Sequence, residues 1–205
     1  MKTKCLIISG GDFAPLPVPD ADTFVIACDR GYAYAIRCGI LPDLLVSDFD
    51  SYIGPVDSAV PLQRLPTEKD DTDTMSAVRA ALARGCTEGL LCCALGGRLD
   101  HTLANLQSLL FAEENGLRLC LRSPDTEGHV LKNGTLRLKR RDGFSLSVFS
   151  LSERCRGVSL HGVKYELEDV ELTNAFPLGV SNEWRDEEAE IRVQDGALLI
   201  VLSKL

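Results

Sequence analysis

Phe24-Val25-Ile26-Ala27-Cys28-Asp29-Arg30-Gly31-Tyr32-Ala33-Tyr34-Ala35-Ile36-Arg37-Cys38-Gly39 contains an apolar run, an acidic turn and a helical segment stopped by a glycine. The run Phe24–Cys28 has the texture of a buried strand, and Gly31–Cys38 has helical period up to Gly39. The same unit repeats outward in both directions. Cys5–Ile8, Leu44–Val46, Leu90–Leu95 and Leu117–Leu121 are further apolar runs of strand length. Thr74–Arg84 places Met75, Val78 and Leu82 on one face and stops at Gly85; Thr102–Asn115 places Leu103, Leu106 and Leu110 on one face and stops at Gly116. Strand and helix in alternation predict an α/β domain with an open, mostly parallel sheet over residues 1–124.

Beyond residue 124 the period changes from mixed to two. Leu136/Leu138, Leu146/Val148, Val158/Leu160, Val163/Tyr165/Leu167, Ile191/Val193 and Leu198/Ile200/Leu202 alternate with polar neighbours, and no helix longer than a turn is expected. Residues 125–205 are therefore expected to form an all-β sandwich, with the boundary inside the polar stretch Ser123–Gly134. A chain of 205 residues buries roughly 70% of its unfolded surface, enough for one large domain or two small ones.

The charge balance narrows the function. Lys and Arg total 22 against 30 Asp and Glu, a formal net charge of −8, which disfavours nucleic acid and anionic membrane as partners. Neither a secretory leader nor an apolar run of membrane-spanning length is present, so the expected location is cytoplasmic. The eight cysteines include no C-x-x-C pair and several fall inside strand runs, which reads as reduced, structural thiols.

Carboxylates are short in one half and long in the other. Residues 29–100 hold nine Asp and two Glu, whereas 125–205 hold five Asp and nine Glu. Four Asp-bearing segments are read as following predicted strands: Cys28-Asp29-Arg30-Gly31, Ser47-Asp48-Phe49-Asp50-Ser51, Lys69-Asp70-Asp71-Thr72-Asp73 and Gly96-Gly97-Arg98-Leu99-Asp100-His101. In an open parallel sheet such segments line one crevice. Carboxylates gathered there repel one another unless a cation joins them, and Mg²⁺ suits a few carboxylates plus phosphate oxygens and water. Taken one by one, Asp29, Asp73 and Asp100 are equally well read as helix caps. Arg30, Lys69 and Arg98 are the cations placed to meet phosphates, or else members of surface ion pairs. Gly10-Gly11 and Gly96-Gly97 let backbone approach an anion, yet neither a P-loop nor a G-x-G-x-x-G fingerprint exists. His101, His129 and His161 have no Ser or Cys in a nucleophile setting beside them.

Six ordered motifs, Asp29-Arg-Gly, Ser47-Asp-Phe-Asp-Ser51, Lys69-Asp-Asp-Thr-Asp73, Gly96-Gly-Arg-Leu-Asp-His101, Gly162-Val-Lys-Tyr165 and Gly179-Val-Ser-Asn182, resemble bacterial thiamine pyrophosphokinases from about residue 5 to the C-terminus. The resemblance implies transfer of pyrophosphate from ATP to thiamine, giving thiamine diphosphate and AMP, in a homodimer whose subunits share the thiamine pocket. It implies a Mg²⁺ and catalytic carboxylate cluster on Asp48, Asp50, Asp70 and Asp73, with Asp29 beside it; the carboxylate expected to accept the hydroxyl proton is Asp70 or Asp73. It further implies Asp100 holding the acceptor or its diphosphate, Arg98 on nucleotide phosphate, Tyr165 against the thiamine ring, and Ser181 with Asn182 near the pyrimidine. Residues 1–124 become the nucleotide-binding, catalytic domain and 125–205 the thiamine-binding and dimerisation domain. Two positions depart from the family pattern: Arg30 stands where Gly is usual, and Ser47 where Gly often precedes D-F-D-S. These leave another nucleoside triphosphate open as donor. A nucleotide or thiamine sensor, and a pyrophosphokinase for another alcohol, are the rival readings.

Overall fold

A computed structural model describes residues 2–49, 52, 54–65 and 71–205, and the chain divides into two compact units, Met1–Pro124 and Asp125–Leu205. In the first unit β1 (Lys4–Ile8), β2 (Thr23–Cys28), β3 (Leu44–Ser47), β4 (Leu62–Arg64), β5 (Glu88–Cys92) and β6 (Arg118–Arg122) alternate with α1 (Gly31–Arg37), α2 (Asp73–Ala83) and α3 (Leu99–Glu114). All strand pairs here are parallel, in the order β6-β5-β1-β2-β3-β4. The apolar runs are buried as a doubly covered sheet requires: Ile7, Ile8, Ile26, Ala27, Leu45, Val46 and Leu91 are fully enclosed.

Helix ends follow local chemistry. Each helix stops at the glycine marked in the sequence, Gly39, Gly85 and Gly116, at φ +72°, +79° and +83°. The starts differ from expectation. Thr72 caps α2, its Oγ1 accepting the Met75 N–H at 3.1 Å, whereas Arg30 and Arg98 occupy the cap positions of α1 and α3 without a side-chain bond. None of the three candidate aspartates stands at a cap position, although Asp100 Oδ1 accepts the first-turn N–H of His101 at 2.9 Å. Helix α3 begins three residues before Thr102, and β4, exposed along its length, has no apolar signature to read.

The second unit is antiparallel throughout. Strands β7 (Thr126–Lys139), β8 (Phe144–Ser150), β9 (Arg154–His161), β10 (Leu167–Thr173), β11 (Gly179–Asn182) and β12 (Glu188–Lys204) contain no helix among the described residues. The polar stretch expected to form a boundary belongs mostly to β7, which starts at Thr126 and pairs with β12 down to Ser203. Strand β12 is central: β7 lies along one side, while β9 and β8 share the other, and β10 and β11 extend these two. Its apolar positions change parity, from Ile191 and Val193 to Leu198, Ile200 and Leu202. The register shifts at that place, between Val193 and Ala197, and opposite it Asn133 adopts φ +47° and accepts the Gly196 N–H at 2.9 Å. The bulge re-aims the strand so that both halves face one core, with Leu146, Val148, Val158 and Leu160.

Candidate active site

Strands β2 and β3 deliver the first two carboxylates. Asp29 follows β2 directly in a left-handed conformation, φ +47°, and its N–H still bonds to the Val46 carbonyl at 3.0 Å. That bend brings Gly31 so close to the end of β1 that a Cβ there would overlap the Ile8 carbonyl. Asp29 is 4% exposed, and the fully buried Ser47 donates its hydroxyl to Asp29 Oδ1 at 2.6 Å. Asp48 follows Ser47, and Phe49 turns the chain at φ +64° with its N–H on Ser47 Oγ at 2.9 Å.

Helix α2 delivers the third. Asp73 is its first residue, and the buried pair Ser9 Oγ and Thr74 Oγ1, 2.7 Å apart, ties that turn to the residue following β1. One carboxylate oxygen each from Asp29, Asp48 and Asp73 lies within 4.8 Å of the others. At about 5 Å two like unit charges repel by roughly 3 kcal/mol at an effective dielectric of about 20. Three hard oxygen donors at this spacing, one from a buried side chain, fit a small divalent cation such as Mg²⁺. Asp50, Lys69 and Asp70 lie outside the described residues.

Beside this cluster the sheet has its topological switch. The chain leaves β1 towards β2, β3 and β4, then returns to β5 on the other side of β1, so the loops after β1 and β5 are neighbours. They are stitched together: the N–H groups of Ser9, Gly11 and Asp12 donate to the carbonyls of Cys92, Cys93 and Leu95 at 2.9, 2.7 and 2.8 Å. From α3, Asn105 Nδ2 holds the Ala94 carbonyl at 2.7 Å. Arg30 is exposed, and its guanidinium bonds to the Gly10 carbonyl through Nη2 and, at 3.1 Å, Nε, while Tyr34 Oη holds the Gly11 carbonyl at 2.9 Å.

Arg98 and Asp100 form a bidentate pair at 3.1 and 2.5 Å, exposed at the start of α3. The hydrogen bond from Arg98 holds the Asp100 carboxyl below its usual range, with the His101 N–H assisting. Asp12 is a neighbour that sequence reasoning missed: a Cβ at Gly96 would overlap its carboxylate. Its position directly after Gly10-Gly11 was the available signal.

In the second unit the loop after β9 and strand β11 meet. Asn182, 4% exposed, accepts the Tyr165 N–H on Oδ1 at 2.9 Å and donates Nδ2 to the Tyr165 carbonyl at 2.7 Å. The Tyr165 side chain itself is left exposed, with Lys164 Nζ 5.4 Å from its ring. Asn182 thus holds the backbone that presents the ring. Ser181 is exposed at φ +56°, its N–H on Ser147 Oγ at 3.0 Å, and Trp184 anchors the neighbouring bridge to Val163 through Nε1 to the Phe144 carbonyl at 2.9 Å.

Comparison with known proteins agrees along the whole chain. The family model "Thiamin pyrophosphokinase, catalytic domain" matches residues 18–121, and "Thiamin pyrophosphokinase, vitamin B1 binding domain" matches residues 134–198. A thiamine pyrophosphokinase of Bacillus subtilis is 26% identical over 96% of this chain and 97% of its own length. The crystal structure of thiamine pyrophosphokinase from that organism superimposes with a TM-score of 0.90 at 25% identity, covering 98% of this chain and 99% of the other. A thiamin pyrophosphokinase family protein from Enterococcus faecalis gives a TM-score of 0.83 at 26% identity, with 98% and 99% covered. The chain belongs to the thiamine pyrophosphokinase family.

Proposed function

We propose that this chain is a thiamine pyrophosphokinase, transferring the pyrophosphoryl group of ATP to the hydroxyethyl oxygen of thiamine to give thiamine diphosphate and AMP. The observation that carries the reading is the meeting of Asp29, Asp48 and Asp73, within a unit matched by the family's catalytic domain and followed by one matched by its vitamin B1 binding domain. Residues 1–124, a parallel α/β sheet, serve as the nucleotide-binding catalytic domain. Residues 125–205 form a β-sandwich that binds thiamine and makes the homodimer. Two features support the latter role: Tyr165 presents an exposed ring to a cationic heterocycle, and Phe176, Leu178 and Val180 are large apolar side chains left on the surface.

In the reaction the thiamine hydroxyl oxygen forms a bond to the β-phosphorus, the bond from that phosphorus to the oxygen bridging to the α-phosphorus breaks, and AMP leaves with that oxygen. The hydroxyl proton passes to a carboxylate, Asp70 or Asp73. Asp29, Asp48 and Asp73, with Asp50 and Asp70, hold Mg²⁺, which supplies neutralisation of charge on the polyphosphate. The chain's own groups position: the glycine pair at the switch point admits the nucleotide, and Arg98 and Lys69 meet phosphates. Arg30 and Tyr34 brace that glycine loop, Asp100 supports the acceptor end, Asn182 holds the Tyr165 loop and Ser181 flanks the pyrimidine. No covalent enzyme intermediate is required. An ATP-dependent reaction and eight unbridged thiols fit the cytoplasm.

The test is AMP release with a panel of alcohols. Release dependent on thiamine supports the reading; thiamine binding without AMP, or release with a different heteroaromatic alcohol only, contradicts it.

A further inference from the structure

Ser47 is not an inert replacement for the glycine often found before D-F-D-S. Its side chain is wholly buried at the end of β3, and both functions of the hydroxyl are engaged. The Phe49 N–H can only donate, so at 2.9 Å Ser47 Oγ accepts there. Its single proton is then directed to Asp29 Oδ1 at 2.6 Å, a short bond to a carboxylate. One hydroxyl therefore joins the end of β2 to the turn beyond β3. On one side it fixes the plane of a carboxylate that has little room to move, since Asp29 is itself buried. On the other it pins Phe49 at φ +64°, a conformation that an L-residue rarely adopts, and that turn sets the direction in which Asp48 leaves the strand.

We propose that Ser47 is a positioning residue for the divalent cation: it orients Asp29 and the Asp48–Phe49 turn so that the oxygens of Asp29, Asp48 and Asp73 face one point. The inference rests on the reading of that cluster as the Mg²⁺ site. Groups that orient ligands in this way commonly account for 10–100-fold in metal affinity.

Mn²⁺ titration of the full-length protein, followed by electron paramagnetic resonance of the free ion, gives the affinity without turnover. Ser47→Ala and Ser47→Cys, the latter of nearly the same size but a weak donor, are both expected to raise the Mn²⁺ dissociation constant about tenfold. If the alanine variant does not fold, the cysteine variant carries the measurement. A rise of less than threefold in a folded variant overturns the inference, including the case in which melting temperature falls and affinity does not. Absence of Mn²⁺ binding by the wild-type chain overturns both the cation site and the role of Ser47. Wild-type binding that Ser47→Cys weakens, without thiamine-dependent AMP release, contradicts the proposed reaction and leaves the role of Ser47 standing.

Discussion

Asp48 is a residue at which stability and activity are expected to run in opposite directions. Its carboxylate lies within 4.8 Å of two others, so without a cation the three add mutual repulsion to the folded state, which a bound cation relieves. Replacing it by asparagine is therefore expected to do opposite things to stability and activity. Metal-free Asp48→Asn should melt higher than wild type, by about 2–4 °C for each kcal/mol of repulsion relieved in a chain of this length. Turnover with saturating Mg²⁺ should fall at least about a hundredfold, and the added thermal stability that Mg²⁺ gives the wild type should vanish. Calorimetry with and without Mg²⁺ checks the first and third, and AMP release the second; a lower metal-free melting temperature would show that Asp48 holds the fold together instead. Asp48 was legible as part of an Asp-bearing segment following an apolar run, whereas the left-handed turn at Phe49 beside it had no signal in the sequence. The capping alternative for Asp29, Asp73 and Asp100 was settled only by backbone geometry, since Thr72, Arg30 and Arg98 take the cap positions.

At the scale of elements, the strands that carry the site are lined with thiols. Burial pushes the Cys5 thiol of β1 well up and that of Cys92 in β5 to about 12; Cys86 and Cys93 are raised for the same reason. A raised folded pKa means that stability is complete below the unfolded value of 9.0 and is lost as pH rises from there towards the folded value. Urea midpoints should thus be level from pH 7 to 8.5 and fall between pH 9 and 10.5, and Cys92→Ala should flatten that fall; a level profile to pH 10.5 would contradict it. The same burial predicts that Cys5 and Cys92 resist iodoacetamide in the native protein at pH 8 and react only on unfolding. Helix α2 offers a simpler case: Thr72→Ala removes the bond to the Met75 N–H and should cost about 1 kcal/mol, read as a loss of about 2–4 °C. Apolar runs and glycine stops made these elements readable. Strand β4 was not, because an exposed edge of three residues has no buried face, and β7 was hidden by Gly128 and Gly134, which read as loop but pair along β12, and by Asn133 at the bulge between Lys132 and Gly134.

For the whole molecule, the two units differ in chemistry: a cluster of hard oxygen donors in the parallel unit, and an exposed ring with surface apolar side chains in the antiparallel one. Phe176 is 66% exposed between β10 and β11, and Leu178 and Val180 are also exposed. If self-association completes the thiamine pocket, Phe176→Glu should shift sedimentation towards monomer and raise the thiamine KM about tenfold, with the ATP KM within twofold of wild type. A monomeric wild type with full activity would contradict the shared pocket. A divalent ion held between Asp29, Asp48 and Asp73 is the central expectation, and anomalous scattering at the manganese edge, from crystals grown with Mn²⁺ and ATP, locates that ion directly. The predicted result is a peak within coordination distance of carboxylate oxygens from at least two of the three, about 2.0–2.2 Å for a small hard cation; a peak bound elsewhere, or none beside them, would contradict it.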